Sequence, residues 1–419
     1  MGNLINLDPA LEVALLGALL ALLPVAVVAR RGQRQGLHGW PAWQRMLTVL
    51  TLFLTLDLVV FGAFTRLTDS GLGCPDWPGC YGETSPFAAH AQISAAHAVA
   101  PGGPVSQSKA WIEMVHRYLA TAVGALITGL MVMAWVKRRD ASLSPWWATG
   151  TFLWVCGQGV FGALTVTLKL QPIIVTGHLM GAMLGVGLLT AQVRALDGTS
   201  AADTQAKPVD RSVDGAWVVS PLRKWGWALL ALLTVQIALG AWVSTNYAVL
   251  ACTEVPTCQG QWWPEMDFTM GFHLLRPLGG DGQGAFITQA ALTAIHVAHR
   301  LFAVLVLIVL VAYGAALRRW MPPGENAVLP AQPWRRDGGI LWALAAWQLA
   351  SGLSNVVLGW PLAAALAHTL GAALLVWRLM HVLVSPRLSH QHVAHEAPAS
   401  PLASMRHQSL HAGASQASP

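Results

Sequence analysis

The sequence predicts an all-α polytopic membrane protein: two tandem four-helix bundles related by a pseudo-two-fold axis along the membrane normal, behind one extra N-terminal span. Three observations carry that expectation. Of 419 residues, 54% are hydrophobic and only 11% charged, where a soluble domain carries about 25% charged. Nine apolar runs reach the roughly 20 residues that a helix needs to cross a hydrocarbon core of about 30 Å. Finally, residues of the second half repeat those of the first in matching order, the mark of an internal duplication.

The apolar runs fall at 11–28, 46–64, 114–136, 146–168, 173–192, 225–245, 291–317, 340–358 and 362–384. The first follows Asp8 and precedes Arg30, Arg31 and Arg34. A cleaved signal peptide carries its positive charge before the apolar run, so this segment reads as a retained span. Basic residues then fill alternate connections: Arg30 to Arg45, Lys137 to Arg139, Arg194 to Lys224, Arg318 to Arg336, and Arg387. The positive-inside rule turns those connections to the cytoplasm. The N-terminus therefore lies outside an inner (cell) membrane, the C-terminus inside, and both cysteine-bearing loops on the periplasmic face. The net charge of 25 − 19 = +6 reports this orientation and not a nucleic-acid partner.

These boundaries divide the chain into an N-terminal span with its cytoplasmic loop (1–45), a first bundle (46–193), a cytoplasmic linker (194–223), a second bundle (224–384) and a tail (385–419). The tail is rich in Ser, Ala, Pro and His and reads as disordered, with a weak metal site at His390, His392 and His395 as the lesser alternative.

Four helices recur. Gly62-Ala63-Phe64-Thr65 ends a span before a loop with Cys74 and Cys80, and Gly240-Ala241-Trp242-Val243 ends another before Cys252 and Cys258. The following helices share a His-Arg pair, His116-Arg117 and His299-Arg300, but three residues earlier Glu113 is replaced by His296. Third helices share Gln158 with Gly162 and Gln348 with Gly352. Fourth helices share His178 and His368, each three residues before a Gly-Ala pair. An even number of spans per repeat leaves both halves pointing the same way.

Ionisable residues inside a bilayer are costly, so four histidines in duplicated positions point to function more than a lone one would. Each half offers two imidazoles from two helices at similar depth near one face. That is the supply a haem iron with two axial histidines needs: neutral nitrogens on either side of a macrocycle in an apolar bundle. Zinc would want a third or fourth ligand close by, and the first half has no additional Cys or Asp at helical spacing. Arg117 and Arg300 are candidates for propionate contacts, with snorkelling interfacial arginines as the equal alternative. Glu113 lies at i−3 from His116, where a carboxylate could stabilise a developing cation or accept a proton. Its bland reading is an acidic residue in a helix's first turn. The switch to His296 favours chemistry in one half and a held cofactor in the other. The cysteine pairs read first as structural disulfides, in loops that two prolines and a glycine let turn tightly in the first half, and second as redox-active pairs. Cys156 reads as a buried apolar filler, and Asp57 has no assigned role.

The stretch from Gly62 through Thr65-Arg66-Leu67-Thr68 to Cys74-Pro75-Asp76-Trp77-Pro78, followed by Glu113, His116-Arg117, Gly177-His178, His299-Arg300 and His368, resembles the haem A synthase family over 46–384. The leading span comes in addition to that family's usual eight. The resemblance implies oxidation of the C8 methyl of haem O to the formyl of haem A by successive hydroxylations. His116 and His178 would ligate the substrate haem, and Glu113 would be catalytic. His299 and His368 would hold a haem B cofactor. Haem O is then the substrate, haem O synthase and cytochrome oxidase assembly proteins are implied partners, and homo-oligomers are allowed. The rival reading is a di-haem membrane cytochrome exchanging electrons with quinones, which leaves Glu113 unexplained. A transporter, with polar groups at the midplane, fits least.

Overall fold

The computed structural model describes residues 8–140, 143–205, 221–278, 286–319 and 332–384. Among them, nine helices are long and apolar enough to span a membrane, which agrees with the expected polytopic all-α class. These are α1 (Asp8–Arg34), α2 (Trp40–Leu67), α4 (Gln107–Val136), α5 (Pro145–Thr167), α6 (Pro172–Gln205), α7 (Pro221–Thr245), α9 (Gln289–Arg319), α10 (Gln332–Val357) and α11 (Leu362–Leu383). Two short helices, α3 (His90–Val99) and α8 (Phe268–Gly271), and a 3₁₀ turn at Ala248–Leu250 lie in the connections.

Local chemistry sets the helix starts. Proline occupies the first turn of α2 and of α5, where its missing N–H is an orphan anyway and its fixed φ suits the helix. The Ser106 hydroxyl caps α4 by accepting from the Lys109 N–H at 3.3 Å. That cap carries α4 seven residues beyond the apolar run predicted from 114, since hydropathy marks the apolar thickness and not the hydrogen-bonded ends. Likewise α6 continues to Gln205 and α7 begins at Pro221, so helix occupies part of the predicted linker. The remainder of it, 206–220, and the tail with its three histidines lie outside the described residues.

Within the first half α2 packs on α4 and α6, and α5 packs on both of these; α7, α9, α10 and α11 repeat the same closed order. The halves join through α2 and α6 against α7 and α11. The largest buried apolar cluster, including Leu52, Val186, Leu233, Leu310 and Leu379, lies across that junction. At the cysteine end the junction is polar. Arg66 donates to the Ser244 carbonyl at 2.6 Å, and the Tyr247 hydroxyl meets the Asp69 carboxylate at 2.8 Å. Both pairs are 178 residues apart, the same offset as Cys74 to Cys252. Residues that touch their own counterparts are what a two-fold relation between repeats produces on its axis. Helix α1 packs along α4, and more lightly on α2.

One expectation fails. Cys156 is exposed on α5, because α5 turns much of its surface outward, so the residue is no interior filler.

Candidate functional site

The two cysteine loops are built to one plan. Cys74 bonds Cys80, and Cys252 bonds Cys258, each with a Cα–Cα distance of 4.8 Å. An acid inside each ring holds the returning chain. Asp76 accepts from the Tyr81 and Gly82 N–H groups at 2.6 and 2.7 Å, and Glu254 accepts from Gly260 N–H. Both glycines have positive φ, +77° and +71°, a conformation that would strain any side chain. Burial first, and then the Asp76 carboxylate, push the Tyr81 phenol above its ordinary range.

A guanidinium from the next long helix then ties each loop down. Arg117 donates to the carbonyls of Asp76 at 2.9 Å, Pro78 at 3.2 Å and Gly79. Arg300 donates to those of Cys252 and Glu254 at 2.9 Å and Thr257 at 3.3 Å. A planar fork of donors suits such a set of converging carbonyls. The arginines noted in the sequence beside His116 and His299 thus bind main chain in this structure.

Glu113 is the point at which the halves part company. It is 4% exposed, one oxygen paired with Arg117 and the other accepting from the Cys74 N–H at 2.9 Å. It sits in the second turn of α4, since the helix starts at Gln107, so a first-turn dipole preference does not account for it. Its counterpart His296, also buried at 4%, lies beside the Ala248 backbone instead, and its Nδ1 is buried without a hydrogen-bond partner.

The four histidines recur at matched depth. Counted from the cysteine-end start of each helix, His116 and His299 lie nine and ten residues in, and His178 and His368 six. At about 1.5 Å per residue these are depths of about 14 and 9 Å in either half. His116 and His178 are close enough for their charges to interact, as are His299 and His368. Each ring lies against a glycine of a neighbouring helix. A Cβ on Gly62 would stand 3.1 Å from His116 Nε2, on Gly240 3.0 Å from His299 Cε1, on Gly352 3.2 Å from His368 Cε1, and on Gly162 3.8 Å from His178 Cε1. Four bare stretches of backbone thus accommodate four imidazoles. The His178 Nδ1 is buried without a partner, an expense that a buried polar atom incurs only for a reason. In the second half the rings are oriented by side chains: Gln236 Nε2 meets His299 Nδ1 at 3.0 Å, and the Ser351 hydroxyl meets His368 Nδ1 at 3.0 Å.

This donor set fits a haem in each half. No three His, Cys, Asp or Glu side chains are grouped for a small ion among the described residues, whereas a porphyrin iron needs only two axial nitrogens from the protein. Sequence reasoning missed the glycine backing, the Asp76 and Glu254 anchors and the Gln236 and Ser351 orienters. The repeat held the signal for the first two, because Gly62 and Gly240, and Asp76 and Glu254, recur at the offset of the cysteines.

Comparison with known proteins gives concordant findings. A family model described as cytochrome oxidase assembly protein matches residues 45–380. A heme A synthase of Shewanella oneidensis is 33% identical over 338 residues, covering 80% of this chain and 93% of that protein. One of Rhizorhabdus wittichii is 27% identical over 362 residues, covering 81% and 94%. One of Halalkalibacterium halodurans is 27% identical over 241 residues, covering 56% and 72%.

Proposed function

This chain belongs to the cytochrome oxidase assembly protein family, and from that premise we propose that it is a haem A synthase, oxidising the C8 methyl of haem O to the formyl of haem A. The observation that carries the reading is the single break in an otherwise duplicated site: Glu113 where the second half has His296. Two equivalent haem sites would serve an electron carrier equally well. A buried carboxylate in only one of them suits a reaction run on one side.

In this reading His116 and His178 hold the substrate porphyrin in the first bundle, 46–193, while His299 and His368 hold haem B in the second, 224–384. Haem B supplies one-electron redox chemistry when bound. As the methyl gives up electrons to an external acceptor, positive charge builds at the carbon next to the macrocycle, and in this reading water supplies the oxygen. Glu113 answers both needs. Its carboxylate stabilises the charge, and it takes the proton from the attacking water. The Cys74 N–H and Arg117 fix the carboxylate's position, so little reorganisation accompanies the step. Arg117, engaged with the loop, closes the cysteine end over the site and limits access of bulk water. The side chains of Gln236 and Ser351 set ring orientation in the second half, as outer-shell partners of iron ligands do. Position 58, the counterpart of Gln236, is leucine, so the substrate ring lacks that restraint. The alternating basic connections support a periplasmic cysteine end, with both haems near that face in this reading.

Extraction of pigment from the purified protein tests the reading. A synthase is expected to release haem B together with haem O, haem A or the alcohol between them. Release of haem B alone would favour the quinone-linked di-haem cytochrome.

A further inference from the structure

The family match begins at residue 45, and α1 lies before it. Yet the outer turns of α1 are packed into the first cysteine loop. Val13 is 2% exposed and shares one buried cluster with Cys74, Cys80, Met114 and Tyr118. Pro9 reaches the loop itself, with its Cβ 3.3 Å from where a Cβ on Gly79 would stand. Two turns further along, Gly17 lies directly on Thr121 of α4, where a Cβ would fall 2.6 Å from the threonine Cβ. That close approach is what a glycine in a membrane helix permits. Gly79 is also one of the carbonyls that Arg117 holds, and Arg117 is the partner of Glu113. The buried cluster around Cys252 and Cys258 takes its apolar neighbours, Val297 and Met266, from the second half's own loop and helix.

We propose that α1 is a positioning element of the first site. Through Pro9, Val13 and Gly17 it clamps the Cys74–Cys80 loop onto α4, and so holds the Cys74 N–H and Arg117 in the arrangement that fixes Glu113. The proposal rests on the haem A synthase reading for its catalytic consequence, but its structural half stands apart from it. Leu23 of α1 is 73% exposed and plays no part.

The test compares the full-length protein with three variants in detergent or proteoliposomes. A Gly17→Leu side chain cannot share space with Thr121 and levers α1 away. The milder Val13→Ala thins the contact at the loop without forcing the helices apart, which covers the case in which Gly17→Leu does not fold. Leu23→Ala is the control at an exposed position. The readout independent of activity is the rate at which a water-soluble phosphine reduces each disulfide, followed by thiol labelling and peptide mapping. Opening the cover is expected to speed reduction of Cys74–Cys80 about tenfold in Gly17→Leu and severalfold in Val13→Ala, while Cys252–Cys258 is unchanged in both. The ratio of haem A to haem O should fall in the same order, with haem B content retained and Leu23→Ala like the parent. Unchanged reduction of Cys74–Cys80 in both α1 variants overturns the proposal, as does faster reduction with an unaltered haem ratio. So does a mature protein whose N-terminal sequence begins after α1. If the parent itself yields no haem O or haem A, the enzymatic reading fails, and the disulfide rates still decide whether α1 clamps the loop.

Discussion

Glu113→Gln is expected to keep the fold and both haems while lowering haem A formation by about a hundredfold or more, the range that loss of one general acid–base group produces. The structure says why the amide is the informative change. Its oxygen still accepts from the Cys74 N–H, as the carboxylate does at 2.9 Å. Arg117 loses its ion pair but keeps three carbonyl acceptors in the loop, so no bare charge is stranded in the core. Glu113→Ala removes the Cys74 anchor as well, and its effect mixes lost chemistry with a loosened loop; an unsatisfied buried donor costs about 1–3 kcal/mol. Chromatography of extracted haems should show haem O or its alcohol accumulating in both variants, with the glutamine variant retaining the parental rate of Cys74–Cys80 reduction. Normal haem A yield from Glu113→Gln would remove the assigned role.

The second large effect concerns a residue with no chemistry of its own. Gly240→Leu is expected to empty the second haem site although every histidine remains. A Cβ there stands 3.0 Å from His299 Cε1, and the rest of a leucine side chain must occupy the imidazole's place. The ring cannot retreat without breaking its contact with Gln236. Overpacking of this kind costs about 1–3 kcal/mol when neighbours can yield, so the protein should still fold. Pyridine haemochrome analysis should then find haem B lost and first-site haem retained, with haem O unconverted. The counterpart Gly62→Leu should show the reverse pattern. Parental haem B in Gly240→Leu would mean that His299 does not face a haem along that edge.

Much of this architecture was legible in the chain because the bilayer imposes simple rules. Length and apolarity located nine spans, and the repeat of His-Arg after paired cysteines matched each helix to a partner. The ends of α4 and α6 were not legible in the same way. Ser106 and a polar first turn extend α4 beyond its apolar run, and hydropathy is blind to capping. Cys156 misled because a small apolar residue suits lipid as well as a core, so composition alone did not say which way α5 faces. Arg117 and Arg300 were readable from their position beside the histidines equally as propionate contacts or as snorkelling interfacial arginines. Their engagement with loop carbonyls depends on how the disulfide loops fold back, which only three-dimensional placement reveals. The glycines belong to the same class: Gly62 and Gly240 were visible as repeated letters, and their meaning came from the imidazoles beside them.

The central claim is that two pairs of histidines hold two chemically different haems, substrate in the first half and haem B in the second. Haem analysis of purified His116→Ala and His299→Ala tests it most directly. The account predicts that His116→Ala keeps haem B but carries neither haem O nor haem A, and that His299→Ala loses haem B and retains unconverted haem O. Loss of the same haem from both variants, or a full complement in either, would contradict it.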